Sequence, residues 1–245
     1  MKRFGGFFLG CIAVTLLTSG FSNKHISDGG DLLTAATITN KDLIRLSKEM
    51  RAVGDRENTV PPASNKYAQR LAKMTDKLKK EDGLDLNFKV YITKDINANA
   101  TADGSIRVYS GLMDMMTDEE VFYVIGHEIG HVKNGDSLKQ VRTAYLSSGI
   151  IKAAGASSKT VGSLTDTQLG GLLHTAVNAQ YSQKAEYAAD RYGYNMMKKY
   201  KIDTKGAVSA LRKIDALGKS GGFLSSHPNS AERANRLEKL NKGGK

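Results

Sequence analysis

Apolar positions along the chain switch between helical and alternating spacing, and the switches locate the elements. The first uncharged stretch, residues 4–18, follows Lys2 and Arg3 and runs into the small residues Thr18, Ser19 and Gly20. A basic start, an apolar run of this length and a small-residue end describe a secretory signal peptide. The run is shorter than the ~20 residues of a membrane span, so an uncleaved anchor is the minor alternative. We expect residues 1–20 to be an export signal, 21–38, rich in Ser, Gly, Asn, Asp and Thr, to be a tether, and 39–245 to be the working domain. Asn40 is placed to cap a helix whose apolar side is Leu43, Ile44 and Leu46. Pro61-Pro62 separates it from a second helix, in which Tyr67, Leu71, Met74 and Leu78 recur at helical spacing until Gly83. Phe88, Val90 and Ile92 alternate with polar or amphipathic neighbours as a strand does. Residues 97–104 read as a loop, and Ile106, Val108 and Tyr109 as a second strand ended by Gly111.

Thr117 and Glu120 form a capping box ahead of Val121, Val124, Ile125, Ile129 and Val132, and Asn134-Gly135 supplies the stop. Residues 141–162 are small and weakly patterned. Leu169, Leu172, Leu173, Ala176, Val177 and Tyr181 predict one long amphipathic helix reaching about Tyr200. Asp203 or Thr204 opens another, ended by Gly218; residues 220–226 read as a Gly/Ser loop; His227-Pro228 precedes a last helix through Leu237 and Leu240. The fold class is α+β, mostly α, with a small sheet.

Composition narrows the chemistry. Of 245 residues, 40% are hydrophobic and 25% charged, as in an ordinary globular chain. Lys plus Arg is 36 against 25 Asp plus Glu, a net charge of +11. The basic residues are scattered, there is no Trp, and the aromatics form no stacking pattern, so nucleic acid is not expected as a partner. Cys11 is the only cysteine and sits inside the leader. A disulfide framework, a thiolate metal site and a cysteine nucleophile are excluded from the rest of the chain.

One segment dominates, His127-Glu128-Ile129-Gly130-His131. Residues four apart share a helix face, so the two imidazoles can take two corners of one zinc tetrahedron while Glu128 points at water between them. A helix buried on Val124, Ile125 and Ile129 would not carry these polar groups without partners. A catalytic zinc site needs a third protein ligand. Glu186 and Asp190 are also four apart, in Glu186-Tyr187-Ala188-Ala189-Asp190. Glu186 is the candidate third ligand and Asp190 the candidate acceptor for the N–H of a ligand histidine. A solvated acidic helix face is the competing reading of that pair.

Together, His127 to His131, Glu186 with Asp190, and His227-Pro228 with Glu232-Arg233 resemble the gluzincin peptidases, the family that includes the HtpX and CAAX prenyl proteases. The likeness covers roughly residues 60 to 240, and the segment 106–117 is similar to that of periplasmic members. The resemblance implies a zincin-like helical domain with a small β-sheet whose edge strand lines the active-site cleft. It implies one Zn2+ per chain held by His127, His131 and Glu186, with Glu128 as general base and Asp190 as partner of His127. It places His227 near the metal, either stabilising the oxyanion or closing over the metal as a regulatory fourth ligand. Arg233 would support the same corner, and Asn97-Ala98 would lie beside the strand along which peptides pair. Two departures stand out. Leu17-Thr18-Ser19-Gly20 lacks the lipid-accepting Cys of periplasmic members, so an outer-membrane lipid anchor is not carried over. Nor is there a stretch apolar enough for the membrane spans of HtpX-type members.

The strand at Ser105 to Tyr109, with Ile106 and Val108, is the expected edge on which an extended peptide adds main-chain hydrogen bonds. Such binding ignores most side chains and favours unfolded or misfolded protein substrates. The expectation is an exported zinc endopeptidase of the periplasm or cell envelope. Peripheral association with the envelope membrane and the oligomeric state are left open. The competing classes are a non-catalytic or latent zinc-containing chaperone and a basic module that tethers to anionic lipid or peptidoglycan.

Overall fold

The computed structural model describes residues 38–149, 162–218 and 222–243. The expected signal peptide and tether lie outside them up to residue 37. Ile38, expected to end the tether, is already buried in a hydrophobic cluster.

The elements, in chain order, are helices α1 (Asn40–Glu57) and α2 (Lys66–Thr75), two short 3-10 turns, strands β1 (Asn87–Tyr91), β2 (Ala98–Ala100) and β3 (Ser105–Tyr109), and helices α3 (Ser110–Met115), α4 (Asp118–Lys133), α5 (Asp136–Ser147), α6 (Asp166–Asn178), α7 (Gln183–Lys199), α8 (Lys205–Ala216), α9 (Gly222–Ser226) and α10 (Ser230–Asn241). This is the expected mostly helical α+β class. None of the described helices is long and apolar enough to cross a membrane.

Several local expectations are corrected. Thr39, not Asn40, caps α1: its hydroxyl accepts from the Asp42 N–H and the Asp42 carboxylate accepts from the Thr39 N–H. Residues 141–147, weakly patterned in sequence, complete α5 because Val141, Ala144 and Tyr145 bury one face. The single helix expected from Leu169 to Tyr200 is two. Ala179 turns extended, and Ser182 caps α7 by accepting the Ala185 N–H. Residues 222–226, expected as loop, form α9.

The sheet order is β1-β3-β2, with β1 parallel and β2 antiparallel to β3. Strand Ser105–Tyr109 is therefore central and paired on both sides, so it offers no edge to a peptide. The outer strand on that side is β2, inside the segment read as loop, and its three residues are buried. Its Ala98 and Ala100 are too small to leave a hydrophobic signal, yet they pair with Val108 and Ile106.

Helix α4 is apolar on nearly every side and buried from Glu120 to His131, as a helix at the centre of a core must be. Its capping box is formed as expected, and Gly135 (φ 75°) turns the chain beyond it. One hydrophobic cluster gathers the sheet, α4, α7, α8 and α10; a second lies among α1, α5 and α6. Helices α4 and α7 meet backbone to backbone. A Cβ on Gly126 would lie 2.9 Å from the Gly193 Cα, one on Gly130 2.9 Å from the Ala189 Cα, and one on Gly193 2.9 Å from the His127 nitrogen. Small residues four apart on both helices thus let Glu186 and Asp190 of α7 reach His127 and His131 of α4. Gly193→Ala is expected to destabilise by about 1–3 kcal/mol through overpacking against rigid backbone. Calorimetry should show the melting temperature falling roughly 3–10 °C, with weakened metal binding. An unchanged melting temperature would contradict the close approach.

Candidate metal centre

His127 and His131 project one turn apart from α4, both fully buried, with their Nε2 atoms 3.0 Å apart. From α7, Glu186 brings Oε1 to 3.3 Å of His131 Nε2 and Oε2 to 3.7 Å of His127 Nε2. From the turn after α9, His227 brings Nδ1 to 3.2 Å of His127 Nε2 and 3.0 Å of Glu186 Oε1. One ligand atom from each of the four side chains lies within 4.8 Å of all the others. Zinc–ligand bonds of 2.0–2.1 Å place the corners of a tetrahedron about 3.3 Å apart, close to these separations.

The donor set fits a divalent cation on a second count. Both carboxylate oxygens of Glu128, fully buried, have no hydrogen-bond partner among the described residues. His227 Nε2 stands 3.4 Å from Oε1. Buried carboxylate oxygens without partners are costly, which is what a group aimed at a metal-activated water would look like.

An outer layer fixes each donor. His127 Nδ1 is 3.0 Å from Asp190 Oδ1. Asp190 in turn accepts from the Tyr123 hydroxyl at 2.7 Å and from Arg233 Nε and Nη2 at 2.9 and 2.7 Å. Arg233 Nη1 also forms a close ion pair with Glu186 Oε2. His131 Nδ1 is 3.0 Å from Asp136 Oδ2, and the Tyr181 ring lies flat on His131 at 3.7 Å. The Phe223 ring stacks on His227 at 4.1 Å, and the His227 N–H donates to the Phe223 carbonyl. The Tyr181 N–H donates to the Ser226 carbonyl, and the Phe223 N–H to the Ile96 carbonyl.

The electrostatics follow from this packing. Burial first, then the Arg233 charge, pushes His127 down to about 4, so its imidazole is neutral and able to ligate. Burial alone would lower His131, but the Asp136 and Glu186 carboxylates outweigh it and lift it to about 9. Burial likewise opposes ionisation of Glu186 and Asp190. For Glu186 the charges of His227 and Arg233 prevail, and for Asp190 that of Arg233, holding both carboxyls well below the usual range.

His127, Glu128, His131, Glu186, Asp190, His227 and Arg233, singled out in sequence, therefore converge. Asn97 opens the approach to β2, next to the Ile96 carbonyl that anchors α9. Ala98 is fully buried within β2. Ile106 and Val108 do not reach the site: both are fully buried in the core on the central strand. Four residues of the centre escaped sequence reading. Asp136 left a signal, an acid five residues past His131 and just beyond the Asn-Gly stop. Tyr123, Tyr181 and Phe223 left none.

Residues 65–241 match the model of peptidase family M48. The chain is 39% identical over 219 residues to the metalloprotease LoiP of Escherichia coli (strain K12), covering 88% of this chain and 87% of the relative. It is 38% identical over 227 residues to the metalloprotease YcaL of the same organism, covering 91% and 89%. A protease HtpX homolog of Salinibacter ruber is 27% identical over 215 residues, covering 72% and 76%. The chain belongs to peptidase family M48 and is a zinc metalloendopeptidase.

Proposed function

We propose that this protein is exported and hydrolyses peptide bonds of unfolded or misfolded proteins of the cell envelope, using one zinc held by His127, His131 and Glu186. The observation that carries the reading is the convergence of these donors on one point, beside a buried Glu128 whose carboxylate oxygens have no hydrogen-bond partner among the described residues. The basic, apolar leader supports export.

Zinc bound there supplies Lewis acidity toward water and toward the scissile carbonyl. Glu128 takes the proton of the attacking water and returns it to the leaving amine. Asp190, locked by Tyr123 and Arg233, keeps His127 Nδ1 protonated and its Nε2 free to ligate; Asp136 does the same for His131. Extended peptide adds to β2. Antiparallel pairing turns the main-chain groups of Asn97, Asn99 and Thr101 toward β3, so those of Ala98 and Ala100 face the other edge. Side-chain-blind pairing of this kind suits unfolded substrates.

His227 is proposed as a closing ligand, because its Nδ1 stands at the fourth corner of the donor set. Substrate then requires the turn after α9 to swing out. His227→Ala is expected to keep its zinc and to raise kcat/KM on unfolded casein several-fold, checked by metal analysis and a chelator-controlled cleavage assay. A fall of about 10²–10³-fold would instead mark an oxyanion donor and overturn the closing role.

A further inference from the structure

Helix α1 lies outside the residues that match the family model, yet it touches all three strands through two side chains four residues apart. Asp55 takes Arg107 of β3 through Nε at 2.7 Å and Nη2 at 2.9 Å, Lys89 of β1 at 2.7 Å, and the Tyr91 hydroxyl of β1 at 2.8 Å. Arg51 takes the far end of the sheet. Its Nη2 donates to Asn99 Oδ1 at 2.7 Å and its Nε to Thr101 Oγ1 at 3.3 Å. Thr101 passes the contact on to Asp103, at 2.7 Å.

Arg51 is 3% exposed and has no ion pair among the described residues. Its hydrogen-bond acceptors are the neutral oxygens of Asn99 and Thr101, and the Asp103 carboxylate stands one step further, beyond Thr101. A buried guanidinium paired this way adds little stability; an apolar side chain of similar size is often as good or better. What it does fix is geometry, because the planar fork holds Asn99 of β2 and Thr101 just past its end at once. Asn99 is the middle residue of β2, and its side chain is the one the fork grips.

We propose that Arg51 is a positioning residue that clamps β2 from α1, setting the register of the edge on which extended peptide lies. The proposal rests on the peptidase reading and on the use of β2 by substrate.

The test uses the zinc-loaded full chain and its Arg51→Met, Arg51→Lys and Asn99→Ala variants. Two internally quenched peptides serve as substrates, one long enough to run the length of β2 and one truncated short of it. Arg51→Met is expected to raise KM for the long peptide roughly tenfold, the loss of about one oriented hydrogen-bonded contact. Its kcat, zinc content and activity on the short peptide stay near those of the parent. Arg51→Lys, which keeps one donor, falls between. Asn99→Ala leaves α1 intact and gives the same rise, and adding it to Arg51→Met changes little more. Equal losses on both peptides, a loss confined to kcat, or an unchanged KM overturns the proposal. Amide hydrogen exchange provides a readout independent of proteolysis. The Asn99 and Thr101 amides should exchange at least several-fold faster in Arg51→Met, with those of α4 unchanged. If the parent cleaves neither peptide, the peptidase reading fails and exchange alone decides whether Arg51 holds β2; unchanged exchange there refutes the clamp.

Discussion

Glu128→Gln is expected to lower cleavage of an unfolded protein by about 10²–10⁴-fold, the range set by removal of a positioned general base. The change is nearly isosteric, and it falls on a fully buried side chain whose oxygens have no hydrogen-bond partner among the described residues. The fold should therefore tolerate it, with a melting temperature equal to or above the parent's. Metal content should be untouched, because the proposed ligand atoms belong to His127, His131, Glu186 and His227. The measurement is paired: zinc per chain by elemental analysis and casein cleavage with and without chelator. A variant that keeps both its zinc and its chelator-sensitive cleavage would sink the proposed mechanism. One that keeps zinc and loses cleavage also rules out the non-catalytic chaperone class, since the parent's activity then runs through this carboxylate.

The centre was legible in the chain where chemistry repeats at helical spacing. His127 with His131, and Glu186 with Asp190, each declare a shared face, and Thr117 with Glu120 declares the start of α4. What the spacing does not declare is how two helices meet. Gly126 and Gly130 on one, Ala189 and Gly193 on the other, are four apart as the ligands are, and they let α4 and α7 touch at backbone distance. The aromatic plates Tyr181 and Phe223 are ordinary apolar residues until the break after Asn178 and the turn of α9 carry them over His131 and His227. Strand order is tertiary information of the same kind. Ile106 and Val108 alternate as any strand does, and only the pairing of the small residues Ala98 and Ala100 with them shows that β3 is interior and β2 the edge. The clamp from α1 is further still from local pattern. Arg51 and Asp55 sit on a helix face that reads as solvated until the sheet is laid against it.

Glu186→Ala is expected to weaken zinc binding by more than the roughly 10- to 100-fold typical of changes around a ligand, and more than the loss of His227 does. Ligand number alone does not give this order, because either variant keeps three donors. The difference is Arg233. Its guanidinium is fully buried between Glu186 and Asp190 and ion-paired to both. Removing Glu186 leaves that cation facing the divalent metal with one carboxylate to screen it, and buried charges without compensation are strongly unfavourable. Removing His227 takes away one donor and leaves both carboxylates in place against Arg233. Competition titration with a chromogenic chelator should therefore rank affinities as parent, His227→Ala, Glu186→Ala, with the double variant losing zinc altogether. Replacing Arg233 with Met in the Glu186→Ala background should return part of the lost affinity, although His127 would then rely on an Asp190 steadied only by Tyr123. Retention of one tightly held zinc in the Glu186→Ala/His227→Ala double variant would show that the metal sits elsewhere, and the ligand set proposed for this fold would have to be abandoned.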